Sequence, residues 1–124
     1  MKIPTRNGKE ITLLDLATAS SGLPGMPANF TPKNPGNPYL DYTVDQMYEF
    51  LSGYTLTRDI GSRYEYSNLG MGLLGHALSL KAGKTYEALV TERVLKPLGM
   101  KETRIELTPE MKRRLALGHN PGGA

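Results

Sequence analysis

The sequence predicts a mainly α-helical fold of four or five short helices, and three observations carry that expectation. Apolar residues recur at helical spacing in several segments, most of these segments open on Ser or Thr and close on glycine, and five prolines crowd residues 23–42. Fourteen Gly and nine Pro in 124 residues imply many turns and long irregular connections.

The first helix starts at Ile11: Thr12 can cap it, Asp15 stands three positions on, and Leu13, Leu14, Leu16 and Ala17 supply apolar surface before Ser21-Gly22 ends it. Pro24, Pro27, Pro32, Pro35 and Pro38 then remove backbone donors and forbid a continuing helix or central strand, so Leu23 to Tyr42 reads as a long ordered loop. A connection of that length tends to be functional or to wrap a neighbouring surface, with disorder as the plain alternative. Thr43 and Gln46 form a capping box, and Val44, Met47, Tyr48 and Leu51 make residues 44–52 an amphipathic helix with Gly53 as its C-cap. Tyr54 to Tyr64, with Gly61, reads as an extended segment or turn.

A further helix starts near Ser67 and runs through Leu69, Leu73, Leu74, Ala77 and Leu78 to Gly83. Its Gly70, Gly72 and Gly75 each cost about 1 kcal/mol relative to Ala, which implies close packing against another element. Thr85 caps the next helix, with Tyr86, Leu89, Val90 and Val94 on one face and Pro97-Leu98-Gly99 closing it. Arg104 to Leu107 suggests a short strand, and Thr108-Pro109-Glu110 opens a last helix. The tail Asn120–Ala124 is expected to fray.

Length and a 39% hydrophobic share suit a single domain, residues 1–124, with one modest core. Fifteen basic against twelve acidic residues give +3, with the signs interspersed, and Lys112, Arg113 and Arg114 read as a solvated face, so a nucleic-acid partner is not expected. The chain has no cysteine, which excludes a thiol nucleophile or a thiolate metal site. No apolar stretch approaches the roughly 18 residues that span a bilayer, and no secretory signal opens the chain.

Gly70-Met71-Gly72-Leu73-Leu74-Gly75 matches the spacing of dinucleotide-binding turns, with Glu92 near the ribose-contact offset, but Arg63 to Asn68 is too polar for the buried strand such a turn needs. Gly83-Lys84-Thr85 imitates the end of a phosphate-binding loop but is read as a C-cap followed by an N-cap, since Leu78 stands where the first glycine belongs. His76 and His119 lack partners at metal-ligand spacing, and Glu65, Glu87, Glu92, Glu102, Glu106 and Glu110 read as surface charge.

Tyr66-Ser67-Asn68 is the motif with a specific setting, at the start of the glycine-rich helix. On spacing alone, one of Tyr66 and Asn68 packs and the other caps. The flanks alter that balance: Ile11 to Thr18 leading into Ser21-Gly22-Leu23-Pro24 on one side, and Leu95-Lys96-Pro97-Leu98-Gly99-Met100 with Thr103 on the other. In that order they resemble the serine β-lactamase-like family: class C β-lactamases, D-alanyl-D-alanine carboxypeptidases and β-lactamase-like esterases. The resemblance runs from about Ile3 to Asn120.

The resemblance implies a penicillin-binding-protein-like fold, of which this chain would be the helical lobe without the α/β sheet lobe. It also implies a site of three blocks: Ser-x-x-Lys with the acylated serine, Tyr-x-Asn, and Lys-Thr-Gly or His-x-Gly. Tyr66 matches the proton-transfer tyrosine and Asn68 the asparagine that contacts substrate and the lysine, while Ser67 takes the variable middle position and is not the expected nucleophile. None of Ser20, Ser21, Ser52, Ser62, Ser67 and Ser79 has a lysine three residues on, and Lys84-Thr85-Tyr86 lacks the third block's glycine. Ala19 stands where relatives often carry His or Tyr. The expectation is therefore a fragment of a hydrolase that acylates serine and hydrolyses the resulting ester, on a β-lactam, a D-Ala-D-Ala peptide or an ester. The fragment itself is expected to have little or no activity. No cofactor or metal is implied, and an exposed lobe face would favour self-association. A non-catalytic binding module reusing the lobe is the alternative.

Overall fold

The structure, a computed structural model, describes residues 2–116 and Gly118, so His119 and the tail Asn120–Ala124 lie outside the described residues. Two compact units are present, Met1–Leu78 and Ser79–Ala124. The described residues form five α-helices, one π-helical segment and a two-stranded sheet, so the expected helical character holds. None of these helices is long and apolar enough to cross a membrane.

The first unit opens with a hairpin that the sequence reading lacks: β1 (Thr5–Arg6) pairs antiparallel with β2 (Lys9–Glu10), Thr5 opposite Glu10 and Arg6 opposite Lys9. Asn7 and Gly8 turn it with φ of 51° and 73°, the double positive φ of a two-residue hairpin turn. Arg6 holds the hairpin in place, donating from Nε to Asp59 Oδ1 (2.7 Å) and from Nη1 to the Leu56 carbonyl (2.5 Å).

Helix α1 (Leu13–Ala17) has the predicted capping box: Thr12 accepts from the Asp15 backbone, and Asp15 accepts from the Thr12 backbone and hydroxyl, which holds its carboxyl below the ordinary range. Only Leu16 is buried; a helix of five residues turns one side inward, leaving Leu13 and Leu14 exposed. It stops earlier than expected, not at Ser21-Gly22. The Ser20 N–H bonds the Asp15 carbonyl and the Ala19 N–H the Leu16 carbonyl, a Schellman closure with Ala19 left-handed at φ 53°. A left-handed alanine is strained, so Ala19→Gly is expected to stabilise the chain by about 1 kcal/mol in urea unfolding. An unchanged or lower midpoint would show that Ala19 bears no such strain.

Between Ala17 and Val44 there is no regular element, yet the proline-rich stretch is tied down. Asn29 donates to the Gln46 carbonyl (2.8 Å), Tyr42 donates to Asn29 Oδ1 (3.0 Å), and Phe30 packs on both Tyr39 and Tyr42, with ring centroids 5.4 and 5.5 Å away. Burial, with the Glu49 carboxylate, raises the Tyr42 phenol above its ordinary range, which keeps it a donor to Asn29.

Helix α2 (Val44–Gly53) carries the Thr43/Gln46 capping box and buries Met47 and Leu51; Tyr54, not Gly53, is its C-cap. Helix α3 (Asn68–Ala82) buries Leu69, Gly70 and Leu73. The core joins these to Leu16, Leu23, Leu56 and Ile60, with Leu23, Leu51 and Leu56 almost wholly enclosed. The expected close approach occurs at Gly70, where a Cβ would meet Ser67 Oγ at 3.2 Å and Leu16 Cδ2 at 3.7 Å. At Gly72 a Cβ would meet open space, so that glycine is no packing contact. His76 packs edge-on to Tyr48 and shares a hydrogen bond with its hydroxyl.

The boundary between the units falls inside α3, after Leu78. Gly83, at φ 62°, closes α3, and Thr85 caps α4 (Tyr86–Val90) by accepting from Ala88 N–H, the C-cap and N-cap pair expected there. Helix α4 passes into a π-helical segment, Thr91–Leu95. A π turn takes an extra residue, so Leu95 is buried where Val94 was expected on the inner face, and Val94 and Tyr86 are exposed. Arg104 to Leu107 is not a strand: the Ile105 and Glu106 N–H groups donate to Glu87 Oε1 (3.0 and 3.2 Å), a side-chain acceptor in place of a partner strand. Helix α5 (Pro109–Arg114) starts on Thr108 as expected.

Candidate functional site

The Tyr-Ser-Asn motif enters α3 from an irregular stretch that lies along residues 19–25. The Gly61 N–H bonds the Ser20 carbonyl (2.9 Å), the Glu65 N–H bonds the Ala19 carbonyl (2.7 Å), and the Gly25 carbonyl receives the Asn68 and Leu69 N–H groups (2.9 and 3.3 Å). Gly25 has room for this approach: a Cβ there would lie 3.6 Å from the Tyr66 carbonyl.

Ser67 is the residue on which the site is built. It is buried, and its hydroxyl donates to the Pro24 carbonyl (2.6 Å) while accepting from the Gly70 N–H (2.8 Å). It is thus the N-cap of α3, the role that spacing alone offered to Asn68 with Tyr66 packing. With its proton committed to Pro24, Ser67 is a structural hydroxyl. The first three N–H groups of α3 are also consumed, by the Gly25 carbonyl and the Ser67 hydroxyl.

With Ser67 turned inward, its neighbours face out: Tyr66 is 68% exposed and Asn68 is exposed. The Asn68 amide lies against the proline-rich loop, with Nδ2 3.4 Å from the Tyr39 hydroxyl and 3.5 Å from Met26 Sδ. Sequence reasoning named Tyr66 and Asn68 but not Tyr39 or Met26; the aromatic spacing of Phe30, Tyr39 and Tyr42 is the signal that marks this loop as more than a linker. Glu65, between the motif and Arg63, is paired with Arg58 (2.8 Å) and Arg63 (3.2 Å). An exposed phenol and an exposed amide can orient a ligand through hydrogen bonds, each as donor or acceptor. Among the described residues no group of three His, Asp or Glu gathers as a metal-holding cluster.

The β-lactamase family model matches residues 2–124. The D-alanyl-D-alanine-carboxypeptidase/endopeptidase AmpH of Escherichia coli K12 is 39% identical over 114 residues, 92% of this chain and 29% of that protein. A solved β-lactamase/D-alanine carboxypeptidase from Yersinia pestis is 35% identical, with a TM-score of 0.83 over 94% of this chain and 33% of that one. A class C β-lactamase structure, at 23% identity and a TM-score of 0.75, shares the fold over 92% of this chain and 29% of its own. The chain therefore belongs to the serine β-lactamase-like family of hydrolases, and it spans about 29% of the E. coli relative's length.

Proposed function

We propose that residues 1–124 form one partial β-lactamase-like domain, the helical lobe, and that Tyr66 and Asn68 are one wall of a serine acyl-transfer site. In that site a serine oxygen attacks the carbonyl of a β-lactam, a D-Ala-D-Ala peptide or an ester, the leaving group departs with a proton, and water then cleaves the acyl ester. Tyr66 moves the proton and Asn68 holds the substrate. The observation that carries this reading is the double hydrogen bond of Ser67, which buries the middle residue of the motif and turns both neighbours outward. No serine of this sequence has the lysine three residues on that activates the family nucleophile, so these residues alone supply the wall and not the nucleophile.

The test is hydrolysis of a chromogenic cephalosporin and a p-nitrophenyl ester by the purified chain, beside Tyr66→Phe, with intact-mass detection of acylation. The expected result is no turnover and no adduct. Turnover through an acylated serine, abolished in Tyr66→Phe, would mean that these residues hold a complete site.

A further inference from the structure

We propose that Tyr39 is a positioning residue of this site, setting the orientation of the Asn68 side chain from the proline-rich loop. The inference rests on the reading of Asn68 as a ligand contact and adds a side chain to it. Tyr39 OH is an acceptor 3.4 Å from Asn68 Nδ2, and Met26 Sδ, a weak acceptor, lies 3.5 Å from the same nitrogen. The thioether cannot donate, so of the two ways to seat the amide, only the one with NH2 toward the loop engages both neighbours with Asn68 as donor. That orientation leaves Oδ1 to receive a donor from elsewhere.

Tyr39 can do this because its own position is built in steps from α2. Asn29 is held by the Gln46 carbonyl, Tyr42 is held by Asn29, Phe30 packs on Tyr42, and Tyr39 packs on Phe30. The chain of contacts explains why a loop with five prolines is ordered up to the motif. Tyr39 remains 59% exposed. Its hydroxyl, accepting from Asn68, keeps its own proton to donate toward a carbonyl or carboxylate oxygen of the ligand.

The test reads Asn68 directly and needs no turnover. In the ¹⁵N-labelled chain, with the Asn68 side-chain amide assigned by its loss in Asn68→Asp, the wild type is expected to show a nuclear Overhauser contact between that amide and the Tyr39 ring. In Tyr39→Phe, which keeps the ring on Phe30 and removes only the hydroxyl, hydrogen exchange of the Asn68 amide is expected to quicken roughly two- to tenfold. The urea midpoint should stay the same. A missing contact in the wild type, or unchanged Asn68 exchange in Tyr39→Phe, would overturn the proposal. Neither result bears on whether the chain hydrolyses a substrate, so the two readings fail separately.

Discussion

Leu23→Ala is expected to destabilise the first unit by about 3–4 kcal/mol, read as a lower urea midpoint at unchanged slope. Leu23 has 0% exposure although it belongs to no helix or strand. It enters the same core as Leu16, Met47, Leu51, Leu56, Ile60, Leu69 and Leu73. Truncation removes three carbons from a fully enclosed side chain and leaves a cavity that the surrounding core fills only in part. Total stabilities of small domains are about 5–15 kcal/mol, so one such loss is a large part of the whole. A change below about 1 kcal/mol would mean that the loop is not part of the core.

Ser67→Ala is expected to cost roughly 2–3 kcal/mol and to disturb the site as well. The lost N-cap accounts for about 1 kcal/mol of this, and the Pro24 carbonyl left without its donor for the rest. The hydroxyl also joins α3 to the Ser21-Gly22-Leu23-Pro24 turn, so the amide resonances of Gly25, Tyr66 and Asn68 should shift together in the variant. A nucleophilic serine would behave otherwise: its alanine variant would keep or gain stability. Thermal unfolding of the variant beside wild type separates the two roles, and a melting temperature at or above that of wild type would rule out the structural one.

The elements governed by local chemistry were legible. Thr12 with Asp15, Thr43 with Gln46, Thr85 and Thr108 all cap the helices assigned to them, because a cap is decided within three residues. Asn7-Gly8 carried the hairpin signal too, but its strands are two residues long, too short for any alternation to show. The expected strand at Arg104–Leu107 failed because a strand needs a partner, and there the backbone donors found the Glu87 carboxylate instead. Leu95 took the place of Val94 because a π turn shifts the phase of a helix in a way that apolar spacing does not announce.

By itself, the sequence determined the helical character and the capped helix starts, since each rests on residue type and near-neighbour spacing, and the resemblance carried by the ordered flanking blocks marked the family. Only the tertiary structure decided which motif residue turns inward. Ser67, Pro24 and Gly70 meet through contacts 43 and 3 residues apart, and the 43-residue separation has no local signature. The same holds for Tyr39 at Asn68, 29 residues away. A hydrogen bond between distant residues is made by the packing that brings them together, and in this chain that packing is the core around Leu23, Leu51 and Leu56.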